Sequence, residues 1–304
     1  MNIGRPVTSN AQYKQIIYMS IIAIPGFSEP FSSLTHLLAA GVAFVGLFYL
    51  CYKGRGNGVR LFALALFSFT LIFLFSMSGV YHLLDPEYLP RKVFQRLDHA
   101  AIWALIAGTF TPVHMILFRG VWRWGVLLVV WAIAISGLVL EVVFFNAIAA
   151  WMSSVFYLAL GWIGILTSWH FIQQYGDQSI RLLWLGGLFY SLGAILELLH
   201  WPVVIPGVVG PHEIFHIFVI VGAFYHWRFV YHWAYYPTKN HLVFHVRVLP
   251  HNQYIANAVG ELIRLEAHSL DHLREKIQQR IKRHFHENRP PKSVRLKYFS
   301  EEQL

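Results

Sequence analysis

The sequence predicts an all-α membrane protein: a seven-transmembrane helix bundle with a small C-terminal α+β module. Three observations lead there. Of 304 residues, 56% are hydrophobic and only 13% charged, about half the roughly 25% of a soluble domain. A mean hydropathy of +0.49 over this length is too apolar for one soluble core. The apolar residues also fall into runs that meet the requirement of about 20 residues to span the hydrocarbon, and the chain turns polar, basic and histidine-rich after Tyr235.

The spans read in order as Ser32 to Tyr52, Leu61 to Leu84, Asp98 to Phe118, Trp124 to Phe144, Met152 to Ile172, Leu182 to Trp201 and Pro211 to Ala234. Short loops join them, so successive helices are expected to be antiparallel neighbours. Residues 1–31 form an N-terminal segment, 32–234 the membrane portion and 235–304 an extramembrane module. The apolar stretch Ile16 to Ile24 runs into Pro25 and Gly26; it is expected to be an interfacial helix rather than a cleavable signal. A single cysteine, Cys51, excludes an intrachain disulfide and a cysteine-based zinc site. Any metal site must therefore draw on His, Asp and Glu, and there are 17 histidines.

In the tail, Phe244, Val246 and Val248 alternate with His245 and Arg247, the pattern of a strand. Val259, Ile263, Ala267, Leu270, Leu273, Ile277 and Ile281 follow a three-four spacing, which predicts an amphipathic helix. Val294, Leu296 and Tyr298 alternate with Arg295 and Lys297 in a second strand. The expectation is a strand-helix-strand module whose basic surface lies near the bilayer. Nucleic acid is not expected as a partner: acids interleave with the basic residues and no aromatic platform accompanies them. The module's own partner is not readable. The Lys and Arg distribution leans towards a cytoplasmic C-terminus.

Ionisable residues inside spans are costly and so are functional candidates. His82 lies near the end of span two, Asp98 opens span three, and His212 and His216 lie in the first turns of span seven. Even spans end and odd spans begin on the N-terminal side, so all four share one membrane face. His212 and His216, four apart, project from one face of a helix. With His82 they offer three nitrogens to a zinc ion, leaving a fourth position for water. Ser78 is one turn before His82 on the same face, and Asp98 is placed to bind that water or orient a ligand. Asp98 also fits a plain helix N-cap paired with Arg96.

The run from His212 to His216 also matches the H-E-x-x-H signature of zinc proteases, with Glu213 as general base. Val219 and Gly222 occupy the Gly and His places of the extended signature. Glu197 and His200, near the end of span six, fall on the same face and would line a path or reach the interface. His36, His114 and His170 read as hydrogen-bonding residues in helix packing.

Taken together, several stretches carry a family likeness: Ser33-Leu34-Thr35-His36, Ser78-Gly79-Val80-Tyr81-His82, Arg96-Leu97-Asp98-His99-Ala100, Ile106 to Pro112, and Pro206 to His216. On these the chain resembles the hemolysin III proteins, the bacterial branch of the progestin and adipoQ receptor superfamily, which includes alkaline ceramidases. The resemblance covers Ser32 to Ala234. It implies seven spans in a bacterial cell membrane and a zinc held by His82, His212 and His216, with Ser78 and Asp98 as the family's serine and aspartate. It also implies, for the receptor branch, a cytoplasmic N-terminus, opposite to the charge count. The basic tail departs from the short C-termini of the family.

The expected function is zinc-dependent hydrolysis of a membrane lipid, at an amide bond. Zinc that only pins spans two and seven together is the structural alternative. Membrane perturbation or pore formation, as the family name implies, and a membrane-state sensor signalling through the tail are the others.

Overall fold

The computed structural model describes residues 21–175, 180–234, 241–259, 263–284, 291 and 293–300. The membrane portion is built of α1 (Pro30–Gly54), α2 (Gly58–Leu83), α3 (Leu89–Leu117), α4 (Val121–Val143), α5 (Ala150–Trp162), α6 (Gly164–Tyr175), α7 (Arg181–Leu199) and α8 (Pro211–Trp233). With α5 and α6 making one span, these give seven helical segments long and apolar enough to cross a membrane. The sequence marks the helix starts. Proline occupies the first turn of α1, α3 and α8, where a missing N–H costs nothing. Asn57 caps α2 by accepting from the Arg60 N–H at 3.0 Å.

α3 is the centre of the bundle. Of its most apolar stretch 89% is buried, more than in any other span. It packs on α2, α4, α5 and α8, while α1 meets α2 and α8, and α7 meets α8. α1 and α4 turn large apolar side chains outwards, among them Leu38, Val42, Phe48, Leu128 and Val129. That is stable only against lipid tails. α7 and α8 approach backbone to backbone: a Cβ on Gly186 would stand 3.0 Å from the Gly222 carbonyl oxygen.

The structure corrects three expectations. α3 starts at Leu89, so Asp98 lies inside the helix, about 13 Å along it at 1.5 Å per residue, and is not its N-cap. The early turns of α3 carry Arg91, Lys92 and Arg96, a polar run that an apolar-run criterion passes over. The fifth span is two helices, with Ile163 bonding back three residues to Leu160. The expected interfacial helix falls outside the described residues as far as position 20. From Ile21 the chain is not helical, and Ile24 bridges to Phe27.

The module has more strands than expected. β1 (His241–Leu249), β2 (Gln253–Ala258) and β3 (Arg264–Ala267) are followed by α9 (Leu270–His284) and β4 (Ser293–Ser300). The sheet order is β3-β2-β1-β4, with β4 parallel to β1 and the other pairs antiparallel. The helix expected from Val259 thus begins at Leu270. Val259, Ile263 and Ala267 are four apart, a spacing that both a helix and an alternating strand allow, and pairing decides: Ala267 lies in β3 opposite Tyr254 of β2, and the Val259 N–H donates to the Val243 carbonyl at 2.8 Å. Phe244, Val246, Ala256, Leu273 and Ile277 form the core between sheet and helix. Val243 and Val259, on the other face, join Trp233, Phe171 and Leu117 of the bundle. The module is therefore seated on the C-terminal end of the spans.

Charge divides between the two ends. Among the described residues of the membrane portion every carboxylate lies towards the N-terminal face: Glu29, Asp85, Glu87, Asp98, Glu141, Glu197 and Glu213. Lys53, Arg55, Arg60, Arg119, Arg123 and Arg181 lie at the C-terminal face.

Candidate metal centre

His82 and His216 are fully buried, and His212 is half-buried. Their ligating atoms all lie within 4.8 Å of one another, a grouping able to hold a metal ion. Three local devices produce it. The segment before α1 is tied to the end of α2, with the Glu29 N–H donating to the His82 carbonyl at 3.0 Å. Helices α1 and α2 touch at Gly79, where a Cβ would meet Leu37 Cγ at 2.7 Å, and Ser33 Oγ donates to the Gly79 carbonyl at 2.8 Å. The one-turn spacing in α8 stacks His212 over His216.

Carboxylates fix the rings. Glu29 bonds His82 Nδ1 and Arg91 at once. Burial pushes the Glu29 carboxyl up, but the hydrogen bonds and charges of His82 and Arg91 outweigh burial and hold it at about 2. His212 Nδ1 lies 3.2 Å from Glu197 Oε1. The Nε2 atoms of His82 and His212 face each other at 3.3 Å, and in neutral rings that donate Nδ1–H to the carboxylates both would carry bare lone pairs. Two bare lone pairs at that distance repel, whereas two nitrogen ligands of a tetrahedral zinc stand about 3.3–3.4 Å apart. A carboxylate behind a histidine is also the usual outer support of a metal ligand. Buried atoms without a partner among the described residues gather here too: Ser78 Oγ, His216 Nδ1 and both His36 nitrogens. The donor set therefore fits a metal ion.

Asp98 is half-buried and makes no hydrogen bond among the described residues, and it is near enough for its charge to bear on His212 and Tyr81. Ser78 is buried on α2, one turn before His82. Glu213 is committed elsewhere. Its Oε2 accepts from the Gly210 N–H at 2.9 Å, and its Oε1 from Ser32 Oγ at 3.1 Å. Glu213 thus caps its own helix, and the protease signature is matched in spacing only.

Three sequence readings change. Glu197 is a partner of His212, and His200, in a left-handed C-cap, bonds the Glu197 carbonyl at 2.7 Å. His114 bonds Trp122 O and Thr167 Oγ1 as a packing residue does. His36 instead stacks on His216 at 3.9 Å, and His170 stacks on Trp122 at 4.2 Å. The sequence reading missed Glu29, the partner of His82. It also missed Glu141, buried in α4 with Ser153 Oγ donating to its carboxylate at 3.0 Å. An acid directly before span one, on the face of His82, was the available signal for Glu29.

Fold and site together define a class: a polytopic membrane protein with a three-histidine group at one face. The family model described as Haemolysin-III related matches residues 27–227, and the chain belongs to that family. It is similar to Hemolysin-3 of Bacillus cereus, 29% identical over 194 residues, 63% of this chain and 85% of the relative. It is also similar to a Hemolysin-3 homolog of Bacillus subtilis (strain 168), 26% identical over 194 residues, 63% of this chain and 87% of that one. The family match includes Glu29 and all three histidines and stops before the sheet module.

Proposed function

We propose that this chain is a zinc-dependent hydrolase of the bacterial cell membrane that cleaves an amide bond in a lipid. The observation that carries the reading is the pair of Nε2 atoms turned together at 3.3 Å, each ring braced by a carboxylate. Bound zinc at such a centre supplies Lewis acidity, lowering the pKa of water to about 7 and polarising a carbonyl. His82, His212 and His216 would hold it, and Glu29 and Glu197 keep the first two rings in the ligating tautomer.

Asp98 then takes the proton of the attacking water as its oxygen adds to the amide carbon, and gives that proton to the leaving nitrogen as the C–N bond breaks. The Ser78 hydroxyl donates to the oxygen on which charge develops. Both groups are available for these tasks because, among the described residues, no other side chain engages either. A site near one end of the spans suits a lipid whose head group lies at the interface.

The test is turnover of an N-acyl sphingoid lipid together with metal content. Asp98→Asn is expected to keep zinc and lose hydrolysis, and His212→Ala to lose both. Unchanged turnover in Asp98→Asn would leave zinc a structural pin between α2 and α8. The names of the two Bacillus relatives favour a second reading, membrane lysis. It requires dye leakage from vesicles that persists in His212→Ala.

A further inference from the structure

We propose that the outer end of α1 and the edge strand β4 together form a binding surface for anionic phospholipid head groups at the C-terminal face of the membrane. The surface has two walls. α1 ends in Tyr52 and Lys53 with Arg55 directly after it, the Arg55 guanidinium 4.1 Å over the Tyr52 ring and Lys53 Nζ 3.6 Å over Tyr231. β4 contributes Arg295, Lys297 and Phe299, which alternate onto the sheet face that meets the bundle. The register sets Lys297 beside His245, whose ring lies 5.5 Å from Trp233 at the end of α8 and 4.8 Å from Phe299. Lys53 sits over Tyr231 and Lys297 stands beside the His245 ring that meets Trp233, two residues further along α8, so the two walls meet at the end of that helix.

Position and sign choose the occupant. The lipid-facing side of α1, with Phe48 and Tyr49 exposed, runs directly into these cations. A lipid lying along that side would bring its phosphate to Lys53. Phe299 is 43% exposed on the same sheet face as two cations. An aromatic beside Lys and Arg is the make-up of a head-group layer, and basic residues there attract anionic lipid by roughly fivefold each. No carboxylate of the membrane portion lies at this end among the described residues. Lysines on an edge strand also deter strand pairing, but that role gives no reason for Lys53, on a different element, to face them.

The experiment is native mass spectrometry of the full-length protein in detergent with equal amounts of phosphatidylglycerol and phosphatidylcholine. Phosphatidylglycerol is expected to be retained preferentially, with the preference falling by roughly tenfold or more in a Lys53→Gln/Lys297→Gln variant. Lys92→Gln, at the opposite face, should leave it unchanged. The wild-type preference should weaken from about 50 to 500 mM salt as the charges are screened, a readout that does not depend on the double variant folding. An equal preference in the double variant, or one indifferent to salt, would overturn the proposal. So would displacement of the lipid by millimolar inorganic phosphate, which would mark a free-phosphate site.

Discussion

Glu29 is bonded to His82 through both backbone and side chain, which makes it the residue that sets the imidazole's orientation. Glu29→Gln is expected to weaken metal affinity by about 10–100-fold with helix content unchanged, measured by competition with a chromogenic chelator. Undiminished affinity would show that packing alone aims His82. The three histidines were legible in the sequence because depth follows from the order of spans. Glu29 was not, because its pairing with a residue 53 positions away depends on where α1 begins and on the turn that brings its start back to α2.

At the scale of elements, the contact at Gly79 holds α1 against α2 and so holds His82 in register. In Gly79→Ala the new Cβ would meet Leu37 Cγ at 2.7 Å and the Leu37 backbone N at 3.1 Å. A loss of about 1–3 kcal/mol is expected for such overpacking, seen as a lower thermal midpoint in detergent together with weaker zinc binding. α8 depends on its cap. Glu213→Gln should keep most hydrolytic activity and lower stability modestly, since the carboxylate serves Gly210 and Ser32; abolished turnover with zinc retained would revive the protease-like role. The sequence placed the ends of most spans well. It missed the early start of α3 because interfacial Arg91, Lys92 and Arg96 interrupt the apolar pattern.

For the whole molecule, Lys and Arg among the described residues are more numerous at the C-terminal face than at the N-terminal face, which carries Arg91, Lys92 and Arg96. Lys and Arg in short loops favour the cytoplasmic side and acids count little, so the C-terminal face with its sheet is expected inside. A C-terminal green fluorescent protein fusion should fluoresce and an alkaline phosphatase fusion stay inactive; the reverse would support the receptor-branch topology that the family likeness implies. The seat of the module adds a dependence on pH. Burial first, then the charges of Lys297 and His232, hold His245 at about 4, below the 6.5 of a free imidazole. Between those values the unfolded chain binds a proton that the folded chain does not. The stability that His245 contributes is therefore fully present above pH 6.5 and is lost, by roughly 2–3 kcal/mol, as pH drops to about 4. Thermal midpoints across that range check it, and His245→Phe should make the profile shallower.

The sequence by itself determined the membrane class, the spans, the family likeness and the common depth of His82, His212 and His216. Each rests on hydropathy or on helical spacing, which are properties of a local window. Only the tertiary structure decided what stands behind those histidines, that Glu213 caps a helix, and that Ala267 belongs to a strand and Val259 to the turn after one. These depend on which groups satisfy one another across long sequence separations. A spacing of four residues, or an acid beside a proline, is compatible with more than one partner until the chain is folded.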